Sequence, residues 1–143
     1  MEVVRRMPAE ENKTILLRFL GELAKGNDAM VDEFCSDKFV FHSPTHAGWP
    51  RGLEGARQLA RAVVEHPDYI DSHSKIDDIL AVDDKVVLRY TVIGTYVGEE
   101  KPGYPKKGER FASGTIAIYR FVDGKIADDW GVQELGATDA PWG

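Results

Sequence analysis

Trp130 and Glu134, near the carboxyl end of the chain, have the types and the spacing for proton chemistry on an apolar molecule. They differ by four, and the two-residue period of a strand puts both on one face. An indole wall beside a carboxylate suits a small apolar ligand that needs a proton moved. Taking a proton from beside a carbonyl and stabilising the enolate is work that one buried carboxylate with a nearby donor can do without a metal. Apolar walls raise the pKa of such an acid toward working pH. Glu134 is therefore the expected acid/base, with His42 as candidate donor or second base. Trp130, Tyr90 and Tyr96 are the expected walls, their polar tips available for orientation. Asp68, just after a helix-breaking proline, is a candidate for the rim of the site or for a turn.

These residues need a frame. Gly94 to Gly136 holds alternating apolar runs, and Asp123-Gly124 joins the last two as a hairpin, because glycine accepts the positive φ of a tight turn. Pairing Val122 with Lys125 sets Ala117 opposite Trp130, Ser113 opposite Glu134 and Thr115 opposite Val132, which rings the acid with hydroxyls. In Lys85–Tyr96, the set Val86, Leu88, Tyr90, Val92 and Tyr96 is the better core face. Upstream, Ile15, Leu16, Phe19, Leu20 and Leu23 stripe a first helix that Glu10 and Glu11 open and Gly26 stops. Asn27 or Asp28 is expected to cap a short second helix through Cys35. Leu53, Ala56, Ala60 and Val63 predict a third, from about Leu53 to His66, ended by Pro67. Helices first and strands from about Ile76 onward indicate an α+β fold, helices laid on one face of a mainly antiparallel sheet. The loop from Val97 to Glu109 is a candidate mobile rim.

Length and composition narrow the function. A chain of 143 residues, 43% hydrophobic and 29% charged, is expected to form one globular domain, 1–143. A net charge of −6 without a basic stripe argues against nucleic acid. The one cysteine, Cys35, permits no intrachain disulfide and is expected to be buried. No run is long enough for a membrane span and the amino terminus lacks an apolar signal core, so the cytoplasm is the expected compartment. His42 and His46 flank Ser43-Pro44, which excludes a helical chelating pair, so no metal is expected. The group His66, Asp68, Asp71 and His73 is the usual collection of a helix end. No nucleotide- or phosphate-binding glycine motif occurs, and no cofactor is expected.

The order of motifs resembles the SnoaL-like polyketide cyclases of the nuclear-transport-factor-2-like superfamily. The marks run from about Glu10 to Gly136: Gly52-Leu53-Glu54-Gly55, His66-Pro67-Asp68, Asp84-Lys85-Val86-Val87-Leu88-Arg89, Gly94-Thr95, Gly124-Lys125-Ile126, and Trp130 followed four residues on by an acid. The resemblance implies a cone-shaped α+β roll, three amino-terminal helices on a curved sheet. It also implies cofactor-free aldol ring closure by an aspartate of the last strand, at the position of Glu134. Tyr96 stands where many relatives have histidine, and Lys107 where threonine is usual. Cyclisation, isomerisation or dehydration of a hydrophobic carbonyl compound is the expected activity. A ligand-binding module, or a protein-interaction module of the same fold, is the alternative; the trio of an epoxide hydrolase cannot be placed. Val87, Thr91 and Ile93 on the outward sheet face are expected to serve a homodimer.

Overall fold

The computed structural model describes residues 8–65 and 68–137. Helix α1 spans Ala9–Ala24, α2 Val31–Phe34 and α3 Leu53–Val64; strands β1 to β5 span Cys35–Phe41, Tyr69–Val82, Lys85–Tyr96, Arg110–Val122 and Lys125–Ala137. The strands form one sheet in the order β1-β5-β4-β3-β2, antiparallel except for the parallel pair β1 and β5. The α+β expectation holds. Among the described residues no helix is long and apolar enough to cross a membrane.

The helices form where the apolar stripes require them. Leu16, Phe19 and Leu23 of α1 are buried, Glu10 and Glu11 occupy its first turn, and the Gly26 amide closes it by donating to the Leu23 carbonyl. Asn27 makes no side-chain cap; its amide donates to Glu22 instead. In α3 the buried side is Gly55, Ala56 and Ala60, while Val63 is exposed. That helix ends at Val64, and His66 and Pro67, expected to end it, lie outside the described residues. Cys35 begins β1 rather than closing α2, and is buried as expected.

The glycines of Gly52-Leu53-Glu54-Gly55 have steric causes. Gly52 sits at φ 78° and ψ −158°, a region open to glycine alone, and its amide donates to the Phe39 carbonyl of β1 at 2.7 Å. Gly55 passes so close to the preceding loop that an added Cβ would fall 2.1 Å from the Pro50 carbonyl oxygen. The motif thus fastens the start of α3 to the sheet edge.

Strand β2 begins at Tyr69, seven residues before the expected start. Its first half, Asp71 to Lys75, is exposed and polar and shows no alternation, because it is an edge strand whose register shifts twice against β3. Strand β3 faces as predicted at Val86 and Leu88, which join the core with the helices, and Tyr96 is buried too. The core between helices and sheet joins Leu16, Phe19 and Phe34 to Phe39, Leu88 and Phe121.

Candidate functional site

The last hairpin places the chemistry differently from the simple pairing. Val122 pairs with Lys125 and Phe121 with Ile126, but the register then shifts, so that Arg120 faces Asp128 and Tyr119 faces Asp129. Ala127 is the extra residue of a β-bulge, and one inserted residue exchanges the faces of everything beyond it. Ala117 therefore lies opposite Gly131, Thr115 opposite Gln133 and Gly114 opposite Glu134. The even positions turn outward. Glu134 is exposed beside exposed Gly114, and Trp130 lies opposite Ile118 on the outer face at 37% exposure. The expectation that these two face the interior is corrected by the bulge. A sequence signal for it existed: unbulged pairing sets Arg120 against Ala127, whereas the bulge gives its guanidinium a carboxylate.

The group that enters the interior is Asp129, 7% exposed. It lies between Tyr119 of β4 and Phe41 of β1, its partners in the two ladders. No hydrogen bond among the described residues holds its carboxyl, and burial raises its pKa from 3.8 to about 7, against a smaller downward pull from His42. Gly131, opposite Ala117, leaves the ground beside that carboxyl without a side chain; an added Cβ would stand 3.8 Å from Asp129 Oδ1. Farther along the same face Gln133 donates to Ser113 Oγ at 2.7 Å and also hydrogen-bonds Tyr69. The Tyr90 hydroxyl pairs with Thr115, and burial raises the pKa of both Tyr90 and Tyr119. The inner face thus holds a carboxyl at one end, a hydroxyl and amide array at the other, and small residues between. Asp129 and Gln133 were not singled out from the sequence because the unbulged register set the wrong parity on the last strand; Tyr119 shares the parity of Ser113 and Thr115 but carried no motif of its own, and Tyr69 precedes the expected start of β2.

Asp128, the neighbour, points the opposite way. Its Oδ1 accepts from His42 Nε2 at 2.7 Å, and its Oδ2 accepts from Arg120 Nε and Nη2 at 2.7 and 2.6 Å. Burial pushes this carboxyl up, but the hydrogen bonds from His42 and Arg120 outweigh it and the pKa falls below its usual value. The His42 ring also stacks on Trp130, centroids 4.7 Å apart. His42 therefore belongs to the outer face, not to the interior as expected of a second base. Its backbone amide still donates to the Asp129 carbonyl at 2.9 Å and anchors the strand that carries the inner acid.

The remaining predicted residues divide. Tyr90, Ser113 and Thr115 come together on the inner face, and Ser113 is wholly buried. Tyr96 is buried too, but its hydroxyl donates to the Glu99 carbonyl at 2.7 Å, tying down the loop that follows β3. Asp68 receives the Val97 amide on its carbonyl at 2.8 Å beside that loop. Pro105 is buried, and the Gly108 amide donates back to the Tyr96 carbonyl. The loop from Val97 to Glu109 is thus pinned at several points. Cys35 touches none of this chemistry, since burial drives its thiol up to about 12.

Comparison with known proteins follows the fold closely. No curated protein matches the sequence. The solved structure of TsrD from Streptomyces laurentii is 27% identical, with a TM-score of 0.69 over 93% of this chain and 92% of that one. A SnoaL-like polyketide cyclase from Agrobacterium tumefaciens is 21% identical, with a TM-score of 0.69 over 86% of this chain and 91% of that one. The family model for the SnoaL-like polyketide cyclases matches residues 14–138, nearly the whole described chain, and the protein belongs to that family.

Proposed function

We propose that the protein is a cofactor-independent enzyme that moves a proton on a hydrophobic carbonyl compound, with Asp129 rather than Glu134 as the acid/base. The carrying observation is a buried carboxyl, free of hydrogen bonds among the described residues, whose pKa of about 7 lets it both take and return a proton near neutrality. The carboxylate removes a proton from the carbon next to the carbonyl, the electron pair moves onto the carbonyl oxygen, and the enolate attacks or is reprotonated. Hydroxyl and amide donors of Tyr90, Thr115, Ser113 and Gln133 are the groups available to that oxygen. Cyclisation, isomerisation and dehydration share this first step.

Solvent-deuterium exchange into 2-tetralone, followed by proton NMR, isolates that step. Exchange above the buffer rate is expected to rise as pH passes through about 7, where Asp129 ionises. Asp129→Asn should remove it. Glu134→Gln should leave it unchanged and alter stability by less than about 0.5 kcal/mol, as for other exposed positions. Exchange that survives in the Asp129 variant overturns the assignment, and binding of the ketone without exchange assigns the site to ligand retention alone.

The homodimer belongs to the same proposal. Leu80, Val87, Ile118 and Trp130 face one another in turn across four strands on the outer face. Ile116 and Val132, the latter 68% exposed, extend this apolar row. Such a patch on a soluble domain suits a symmetric partner. Val132→Lys is expected to convert a dimer to a monomer in sedimentation at micromolar concentration, whereas a monomeric wild type removes the dimer and leaves the inner site as it is.

A further inference from the structure

We propose that Gly131 is a specificity-determining residue: by bearing no side chain it leaves room beside the Asp129 carboxyl for a substituent on the carbon that gives up the proton, so that ketones reacting at a ring or branched carbon are taken over the smallest ones. The inference rests on the proposed acid/base role of Asp129 and narrows its substrate.

Glycine inside a strand weakens it, and its usual causes are a bulge or bend, a positive φ, or the close approach of another backbone or a ligand. Gly131 lies within β5, where the register against β4 runs unbroken from Asp128 to Ala137. It is not among the positive-φ glycines. Apart from its own chain neighbours, no protein atom stands closer than 3.8 Å to the position of an added Cβ, an ordinary contact distance, whereas Gly55 meets an atom at 2.1 Å, Gly98 at 2.7 Å and Gly94 at 3.1 Å. The protein itself has room for a side chain at 131, and a ligand is the remaining cause.

The chemistry beside that room supports it. One of the atoms at 3.8 Å is Asp129 Oδ1, on a buried side chain without a hydrogen bond among the described residues. Among those residues the polar side-chain atom sealed from water without a partner is Asn12 Oδ1; the Asp129 oxygens are not so sealed and keep open surface. Exposure rises along the inner face of β5, from buried Asp129 through partly exposed Gly131 to exposed Gln133. Strand β1 ends at Phe41, the partner of Asp129, and the chain turns at Pro44–His46, so β5 has no strand beside it on that side from Gly131 onward. The open approach to the carboxyl among the described residues therefore runs over Gly131, with Ala117 opposite as the other small residue of its floor. A molecule that presents a C–H to Asp129 has its neighbouring groups over position 131.

The test measures solvent-deuterium exchange into 2-tetralone and into acetone, each over its buffer rate, in the wild type, Gly131→Ala, Gly131→Val and the control Gly114→Ala. Gly114 is also a mid-strand glycine, with nothing within 4 Å of its Cβ position, but it is exposed on the outer face. The ratio of 2-tetralone to acetone exchange should fall about tenfold in Gly131→Ala, the scale of one methyl group in a binding pocket, and further in Gly131→Val, with KM for 2-tetralone rising first. Gly114→Ala should keep the wild-type ratio. Gly131→Ala should melt at or above the wild-type temperature, because a strand interior favours a side chain. A ratio unchanged in both Gly131 variants, an equal fall for the two ketones, or a melt of Gly131→Ala clearly below the wild type overturns the proposal. Failure here is separable from failure of the acid/base reading. Binding of 2-tetralone by the wild type without exchange sinks the latter, and calorimetric affinity that weakens in both Gly131 variants but not in Gly114→Ala still reports the room at 131. Neither exchange nor binding by the wild type overturns both.

Discussion

Asp129→Asn is expected to slow proton exchange by about 10²- to 10⁴-fold, the usual contribution of a positioned acid/base, and at the same time to stabilise the fold above neutral pH. The two effects have one cause. In the unfolded chain the carboxyl titrates near 3.8, whereas in the folded protein it titrates at about 7. Between those values the folded state holds a proton that the unfolded state has lost, so the stability of the wild type falls as pH rises from about 4 to about 7 and then levels off. At roughly 1.4 kcal/mol per unit, this amounts to about 4 kcal/mol. Asn resembles the protonated acid in shape and does not ionise, so the difference between the two proteins should be small near pH 4 and grow to its full size above pH 7. Thermal melts across that range read it directly, as a shift on the order of 10 °C at the alkaline end. A difference independent of pH would show that Asp129 ionises normally, and the proposed chemistry would go with it.

Gly55→Ala carries the largest expected structural effect. The added methyl would stand 2.1 Å from the Pro50 carbonyl oxygen, and both sides of that contact are backbone. Relief requires α3 to part from the loop that Gly52 ties to β1. Overpacking that a side chain can absorb costs about 1–3 kcal/mol, and a backbone clash should exceed that range. The variant is expected to melt more than about 10 °C lower or to fail to fold at 37 °C. Gly21→Ala is the control, because nothing lies within 4 Å of its Cβ position in α1, and it should gain up to about 1 kcal/mol. Equal stability of the two variants would refute the steric account of the family's glycine motif. Through β1 the damage should reach the site, since β1 pairs with β5 and holds the Asp129 carbonyl.

The pair Asp128 and Asp129 shows how one strand sorts two identical side chains into different chemical states. Asp128 meets Arg120 and His42, and its pKa is lowered; Asp129 meets apolar surroundings, and its pKa is raised. Opposed environments of this kind hold one carboxylate charged and leave the other able to change its proton near neutrality, the property the proposed role of Asp129 requires. The outer cluster orders the strand, and the inner group is left without a hydrogen bond among the described residues.

Local physics made much of this protein legible from its residues. The stripe of Leu16, Phe19 and Leu23, the alternation of Val86 and Leu88 and the Asp123-Gly124 turn depend on periodicity and turn chemistry, which neighbouring residues set. Tyr90, Ser113 and Thr115 were placed on the inner face for the same reason. The parallel pairing of β1 with β5 and the early start of β2 depend on distant strands, so no local pattern announces them. Which acid of the last strand turns inward depended on a single inserted residue at Ala127. Strand parity propagates from wherever it is anchored, and a bulge reverses it without changing the composition on either side. The sequence alone determined that a carboxyl on the last strand would stand among apolar and hydroxyl groups; only the paired sheet decided that it is Asp129, with Glu134 turned to solvent.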